Sequence, residues 1–169
     1  MEKVLFVMDM QEIYVGRGRN KEKYRYDAEK LIREINNRIA EYQPEEVFYF
    51  KSIGKGLGAV MSGMPKEDSF EAKFVDKLKI VGKNIYEKNK QDAFSNEALG
   101  DFLRARNVKE IEMTGVDGGG SVGVTALTAI DDYDLKIIYN DSCIGTMNTA
   151  KAIKYREKMR KNRVTYVHY

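Results

Sequence analysis

The sequence predicts an α/β protein, a three-layer α/β/α sandwich around a central parallel sheet. Continuous apolar runs such as KVLFVM at residues 3–8 are typical of strands buried on both faces. Segments with apolar residues at helical spacing, such as residues 28–42, alternate with those runs along the chain. Alternating strands and helices are typical of a parallel sheet with helices on both faces. The length of 169 residues suits a single domain over residues 1–169.

The individual elements follow from local signals. After the first strand and a loop, Asp27 caps the helix at residues 28–42, and Pro44 ends it. Further apolar segments predict strands at residues 46–51, 84–88, 108–115, 135–141 and 163–169. Helical patterns predict helices at residues 70–78, from a cap at Ser95 onward, at 121–131 and at 146–161.

Composition limits the function classes. The net charge of +3 is small for a dedicated nucleic-acid binder, and the apolar run at the N-terminus is too short to span a membrane. The single cysteine, Cys143, excludes an internal disulfide, and without a secretory signal it indicates a cytoplasmic protein. The single histidine, His168, argues against serine–histidine catalysis and imidazole zinc sites. We therefore expect a small-molecule substrate as the partner, and neither nucleic acid nor membrane.

Three polar residues follow predicted strands at their carboxyl ends, where open parallel sheets bind ligands. Asp9 ends the first strand, Lys88 ends the third, and Ser121 opens a helix after the glycine-rich stretch TGVDGGGSVGVTAL. Glycines allow a ligand to approach the main chain, and a helix N-terminus favours a phosphate or a developing oxyanion. Taken singly, each residue also has an ordinary explanation as a strand-end cap, a solvated lysine or a turn.

Four segments together resemble the isochorismatase-like cysteine hydrolases, a Rossmann-like superfamily that includes nicotinamidases, N-carbamoylsarcosine amidase and ureidoacrylate amidohydrolase. The segments are VLFVMDMQ, YEKNKQDAF, GVDGGGSVGVTA and DLKIIYNDSC, in family order. In this resemblance Asp9 is the catalytic aspartate and Lys88 the catalytic lysine, and Asp141 ends the following strand. Ser121 stands where the family has its nucleophilic cysteine, and Cys143 lies beyond the next strand.

The resemblance also implies a role for each residue. Asp9 would be the general base, Lys88 its electrostatic partner, and position 121 the nucleophile, with the N–H groups of Gly120 and Ser121 as the oxyanion hole. The Val116–Asp117 peptide bond is often cis in the family. The resemblance implies a homo-oligomer, and it implies no cofactor. The candidate substrate-binding residues are Gln11, Tyr14, Phe94, Val116, Asp117, Gly118 and Gly119, of which Gly118 and Gly119 replace the usual Thr-Asp.

The expected function is hydrolysis of a C–N bond in a small amide or carbamoyl compound, or of a vinyl ether. Three interpretations of Ser121 stay open: an engineered replacement of a native cysteine, a natural loss of catalysis, or a working serine nucleophile. The rival function is a non-catalytic protein that binds an anion or nucleotide through residues 118–121. Since residues 46–83 contain no histidine, we expect neither a nicotinamidase-type metal site nor nicotinamide as substrate.

The region after the second strand is expected to shape the pocket. The segment GKGLG at residues 54–58 has the composition of a mobile loop or lid, and it lacks the ending of a P-loop. Met61, Met64 and Phe70 are candidates for substrate contact, and core packing explains each of them equally well.

Overall fold

A six-stranded, all-parallel sheet forms the centre of the computed structural model, which describes residues 1–55 and 63–169. Its strand order is β3-β2-β1-β4-β5-β6, with β1 and β4 side by side in the middle. The strands are β1 (Lys3–Met8), β2 (Val47–Ser52), β3 (Asn84–Lys88), β4 (Glu110–Val116), β5 (Lys136–Gly145) and β6 (Val164–Val167). The predicted α/β class with a parallel sheet is therefore confirmed.

Helices cover both faces of this sheet, because alternate residues of the central strands point to opposite sides. The helices are α1 (Glu12–Val15), α2 (Ala28–Ile39), α3 (Glu97–Ala105), α4 (Ser121–Asp131) and α5 (Thr149–Lys158). Val4 and Phe6 of β1 belong to a core that also contains residues of α3, α4 and β5, whereas Leu5 and Val7 belong to a second core with α2. No helix in the described part of the chain is long and apolar enough to cross a membrane.

The helix α2 shows how local signals fix an element. The Asp27 side chain accepts a hydrogen bond from the Lys30 N–H at 3.0 Å, which is the expected N-cap. Leu31 and Ile35 are buried on its inner face. The helix ends at Ile39, three residues before the predicted end, and Pro44 begins a short 3₁₀ helix, Pro44–Glu46.

The predicted helix at residues 70–78 is wrong. Only the 3₁₀ turn Phe70–Ala72 forms, and it is followed by an isolated bridge at Phe74 and a turn in which the Leu78 N–H donates to the Val75 carbonyl. The reason is tertiary: Phe74 pairs with Gln11 in an antiparallel bridge, and the Val75 N–H donates to the Met10 carbonyl at 3.1 Å. The apolar spacing that resembled a helix therefore serves a non-helical segment that covers the end of β1.

Three other boundaries differ from the prediction. Ser95 does not cap α3, because it closes the 3₁₀ turn Ala93–Ser95 and the helix begins after Asn96. The segment after β1 contains the one-turn helix α1 rather than a loop throughout. Strand β5 continues to Gly145 past a register shift in its pairing with β4, so Asp141 lies within the strand rather than at its end.

A buried cluster of charged and polar side chains joins β4 to α2. Glu112 is fully buried and accepts two hydrogen bonds from Arg38, at 2.8 and 2.7 Å, one from Tyr42 at 2.6 Å and one from Asn140 at 2.8 Å. Burial by itself would raise the pKa of Glu112, but hydrogen bonds from Arg38, Tyr42 and Asn140 hold its pKa below the ordinary value. This carboxylate is therefore charged and fully paired inside the protein.

Candidate active site

Asp9, Lys88 and Ser121 meet side chain to side chain at the carboxyl edge of the sheet. The Lys88 Nζ lies 2.9 Å from Asp9 Oδ2 and 3.0 Å from Ser121 Oγ. All three residues are at least nine-tenths buried, and the Lys88 side chain is fully so. The ammonium group therefore links the carboxylate to the hydroxyl.

The sheet topology explains why residues so far apart in sequence converge. Asp9 directly follows β1, Lys88 is the last residue of β3, and Ser121 is the first residue of α4 after β4. Parallel strands end at the same edge of a sheet, and β4 and β2 flank β1 on either side. Asp9 has a left-handed backbone with φ of 52°, so it departs from the extended conformation of β1 just before it.

Ser52 is a fourth member of this cluster that the sequence analysis missed. Its hydroxyl donates to Asp9 Oδ1 at 3.0 Å and accepts from Lys88 Nζ at 2.7 Å. Ser52 is the last residue of β2 and pairs in register with Lys88 on β3. The rule that polar residues at strand ends form the site, applied to β2 as well, is the signal that would have found it.

The glycine-rich turn between β4 and α4 is held tightly. Asp117 Oδ1 accepts from the N–H groups of Gly119 at 3.0 Å and Met147 at 2.8 Å, and the Val116–Asp117 peptide bond is cis. A Cβ on Gly119 would lie 2.5 Å from the Asn148 carbonyl oxygen, so no larger residue fits there. The Asp117 carboxylate and the lack of side chains thus fix the path of the chain into α4.

The main-chain donors of this turn are not equivalent. The Gly120 N–H, which the resemblance placed in the oxyanion hole, donates to the Asp117 carbonyl at 2.9 Å. The N–H groups of Ser121 and Asp117 donate to no acceptor among the residues that the structure describes. The free N–H of Ser121 opens α4 next to the hydroxyl that Lys88 contacts, and the free N–H of Asp117 lies at the beginning of the turn. Free N–H groups at a helix N-terminus suit a negatively charged oxygen.

Tyr14, another candidate substrate contact, interacts with two members of the cluster, Asp9 and Ser52. Burial raises the pKa of the Tyr14 phenol, and the negative charge of Asp9 raises that pKa further, whereas a hydrogen bond with Ser52 opposes the shift. Tyr14 is therefore close to both groups and stays protonated.

Gln11, Phe94 and Val116 have packing contacts. Gln11 is fully buried, and its amide bonds to the backbone of Ser52 and Ala72. Phe94 stacks on Tyr133 with ring centroids 4.3 Å apart, and Val116 belongs to the core on the α2 side.

The predicted pocket loop lies partly outside the described residues: this holds for Met61 and for residues 56–58 of the GKGLG segment. Met64 is half-buried, and Phe70 is exposed. A cavity of about 420 Å³ next to this region has Ile53, Lys55, Lys88 and the residues before α3 in its wall. Lys88 is in the wall of this cavity, but its side chain is fully buried, and neither Asp9 nor Ser121 lines the cavity.

Comparison with known proteins assigns the chain to a family. A family model described as an isochorismatase domain matches residues 3–167. The chain belongs to the isochorismatase family. No curated protein sequence matches this isochorismatase-family chain.

Solved structures share the isochorismatase-like fold at low sequence identity. They include N-carbamoylsarcosine amidase from Thermoplasma acidophilum, with a TM-score of 0.78, 20% identity, and coverage of 99% of this chain and 96% of that one. A nicotinamidase/pyrazinamidase from Acinetobacter baumanii has a TM-score of 0.79, 18% identity, and coverage of 99% and 96%. Pyrazinamidase of Pyrococcus horikoshii, in complex with zinc, has a TM-score of 0.75, 19% identity, and full coverage of both chains. These structures share the fold of this chain, and the family to which the chain belongs is one of hydrolases.

The residues around Asp9 do not fit a zinc site of the kind that the Pyrococcus structure suggests. The groups that contact the Asp9 carboxylate are a neutral hydroxyl, Ser52, and a cation, Lys88. The described residues contain no group of three or more His, Cys, Asp and Glu side chains placed to hold a metal ion. Since the only histidine is His168, next to the C-terminus, no step of the chemistry below passes through a metal.

Cys143 does not replace the cysteine that this isochorismatase-family chain lacks at position 121. It lies within β5, not beyond that strand as the sequence suggested, and it packs in the core on the α2 side. Burial raises the pKa of the Cys143 thiol to about 12, so it is not a thiolate at neutral pH.

Proposed function

We propose that this isochorismatase-family protein hydrolyses the C–N bond of a small amide or carbamoyl compound, or a vinyl ether, with Asp9, Lys88 and position 121 as its catalytic residues. The observation that supports the proposal is the Lys88 ammonium, within 3.0 Å of both the Asp9 carboxylate and the Ser121 hydroxyl. The free N–H groups at the start of α4 add a place for an oxyanion.

For an amide, the reaction proceeds through an acyl-enzyme. The side-chain heteroatom at position 121 attacks the carbonyl carbon and passes its proton to the Asp9 carboxylate. The carbonyl oxygen becomes an oxyanion near the N–H groups of Ser121 and Asp117 and the Lys88 ammonium. The C–N bond then breaks, and the leaving nitrogen takes the proton from Asp9. Water attacks the acyl group, gives a proton to Asp9, and releases the acid and the free side chain with that proton.

Ser121 weakens this chemistry in the chain as it stands. A serine hydroxyl is much less acidic than a thiol, and its closest ionisable neighbour is the Lys88 ammonium at 3.0 Å, which donates to it rather than accepting its proton. A nearby cation and a helix N-terminus instead favour a thiolate, which is the nucleophile that the surroundings of Ser121 suit best.

The Ser121→Cys variant is expected to raise amide hydrolysis by on the order of 100-fold or more, because its thiol ionises near neutral pH beside Lys88. The measurement is release of ammonia or amine from a panel of small primary amides, N-carbamoyl amino acids and ureido acids, with vinyl ethers followed separately. The matched control is Ser121→Ala, which retains the size of the site without a nucleophile.

The rival function predicts a different pattern in the same experiment. The glycine-rich turn with its free N–H groups and the Lys88 ammonium would also hold an anion. If the Ser121→Cys variant turns over none of the panel and the unaltered chain binds phosphate compounds tightly by calorimetry, the protein is a binder and the hydrolase proposal is wrong.

A further inference from the structure

Ser52 closes a ring of hydrogen bonds around the Asp9–Lys88 ion pair. Lys88 Nζ donates to Asp9 Oδ2 and to Ser52 Oγ, and the Ser52 hydroxyl donates to Asp9 Oδ1. Both carboxylate oxygens are thus engaged, and the single proton of the serine is used. The third donor of the ammonium is left for Ser121.

The backbone of Ser52 is itself clamped. The Gln11 amide oxygen accepts from the Ser52 N–H at 2.8 Å, and the Gln11 amide nitrogen donates to the Ser52 carbonyl at 3.0 Å and to the Ala72 carbonyl at 2.9 Å. Ser52 and Gln11 are 2% and 0% exposed. These bonds satisfy the buried backbone of Ser52 and fix the position from which its hydroxyl reaches Asp9 and Lys88.

We infer that Ser52 is a positioning residue that holds the Asp9 carboxylate and directs the Lys88 ammonium toward position 121. The inference rests on the proposed function and goes beyond it, because neither the sequence nor the family resemblance assigned a role to Ser52. An ammonium has three protons, and the three shortest contacts of Lys88 Nζ are with oxygens of Ser52, Asp9 and Ser121, at 2.7, 2.9 and 3.0 Å. The Lys90 carbonyl oxygen is a weaker fourth contact at 3.4 Å. Without the Ser52 oxygen, the Lys88 ammonium settles on the opposite charge of Asp9 and loses its fixed approach to position 121.

Ser52 is not itself the nucleophile. Its hydroxyl proton is directed at Asp9 Oδ1 and its oxygen is occupied by Lys88, and the free N–H groups lie at the start of α4, beside Ser121.

The test uses the thiol of the Ser121→Cys variant as a reporter that needs no substrate. Its rate of alkylation by iodoacetamide is measured against pH, with the unaltered chain as the blank, since its only thiol is the buried Cys143. Adding Ser52→Ala is expected to slow alkylation at pH 7 by about tenfold, because the thiolate loses the oriented ammonium. The pH of half-maximal alkylation is expected to rise accordingly.

A second pair of variants separates positioning from packing. Ser52→Thr keeps the hydroxyl, and Ser52→Val has the shape of Thr without the hydroxyl. In the Ser121→Cys background, the thiol of the Thr variant is expected to react like that of the parent, and the thiol of the Val variant like that of Ser52→Ala. If Ser52→Ala and Ser52→Val lower the melting temperature but leave the alkylation profile unchanged, or make the thiol more reactive, Ser52 is merely structural and the inference is wrong.

The readouts distinguish this failure from failure of the proposed function. An altered alkylation profile without turnover of any amide, carbamoyl compound or vinyl ether tested would leave the positioning of Lys88 established and refute the hydrolase. Turnover by the Ser121→Cys variant that is unaffected by Ser52→Ala would support the hydrolase and refute the role of Ser52.

Discussion

Replacing Lys88 with Met in the Ser121→Cys background is expected to lower kcat/KM for amide hydrolysis by on the order of 1,000-fold or more. Among the residues that the structure describes, Lys88 is the one whose side chain hydrogen-bonds to both Asp9 and Ser121, at 2.9 and 3.0 Å. Met has a similar length and no charge, so the change removes the charge that stabilises the thiolate and the oxyanion while largely filling the same space.

The measurement is steady-state hydrolysis of the best substrate from the amide panel, accompanied by circular dichroism. Lys88→Met leaves the nearly buried Asp9 carboxylate without its ion partner, which could destabilise the fold. The double variant Asp9→Asn with Lys88→Met leaves no charge unpaired, so its circular dichroism shows whether the fold survives loss of the lysine. Lys83→Met, an exposed lysine just before β3, is the matched control and should retain full activity. A folded Lys88→Met protein with undiminished activity would remove Lys88 from the mechanism.

Replacing Arg38 with Met is expected to reduce the free energy of unfolding by about 3–5 kcal/mol. The change leaves the buried Glu112 carboxylate with the partly exposed Lys3, 3.5 Å away, as its ion partner. Arg38 donates two hydrogen bonds to Glu112, which is fully buried. The ring of Tyr169 also lies over the guanidinium, 4.6 Å from its central carbon, so the C-terminus loses a contact as well. This change is far from the active site, and its effect should appear in stability before activity.

The Arg38–Glu112 pair also makes the free energy of unfolding depend on pH, in a direction that follows from the pKa of Glu112. The pKa of Glu112 in the folded protein lies below its ordinary value of 4.5, so its contribution is fully present above that value. The contribution is lost as the pH falls through the lowered folded pKa. The difference between the parent and Arg38→Met is therefore expected to be largest near neutral pH and to shrink in acid. Urea unfolding at several pH values measures it.

The control for Arg38→Met is Arg33→Met, an exposed arginine on the same helix. The free energy of unfolding of that variant should lie within about 0.5 kcal/mol of the value for the parent. An equal effect of the two changes, or a difference that grows in acid, would mean that the Arg38–Glu112 pair does not stabilise the fold as described.

The sequence was sufficient for the fold class because local periodicity decides whether a segment forms a strand or a helix. The buried runs and the capped helix α2 follow directly from it. Residues 70–78 were mispredicted because the apolar spacing of FEAKFVDKL also suits a non-helical segment, and only the bridge between Phe74 and Gln11 decides between the two.

The buried Glu112 was missed for a related reason. Its partners Arg38 and Asn140 come from elements that lie far apart in sequence, and a glutamate in an alternating strand is ordinarily assigned to the solvent face. Burial of a charge depends on these distant partners rather than on the residues beside it.

The candidate site could be predicted from the sequence only in part. Asp9, Lys88 and Ser121 each stand at a strand end with a distinct residue type, so topology alone predicts that they approach one another. Ser52 has no distinctive type, and its role depends on the pairing of β2 with β3, which brings it opposite Lys88. Whether the Gly120 N–H is free to bind a ligand also depends on the geometry of the turn, because here it donates to the Asp117 carbonyl.

The most direct test of the catalytic role of position 121 is mass spectrometry of the Ser121→Cys variant quenched during turnover of an amide. We expect the intact mass to increase by one acyl group, located by peptide mapping on residue 121, and we expect Ser121→Ala to show neither the adduct nor turnover. Hydrolysis by Ser121→Ala at the rate of Ser121→Cys, or an acyl group on another residue, would contradict the mechanism.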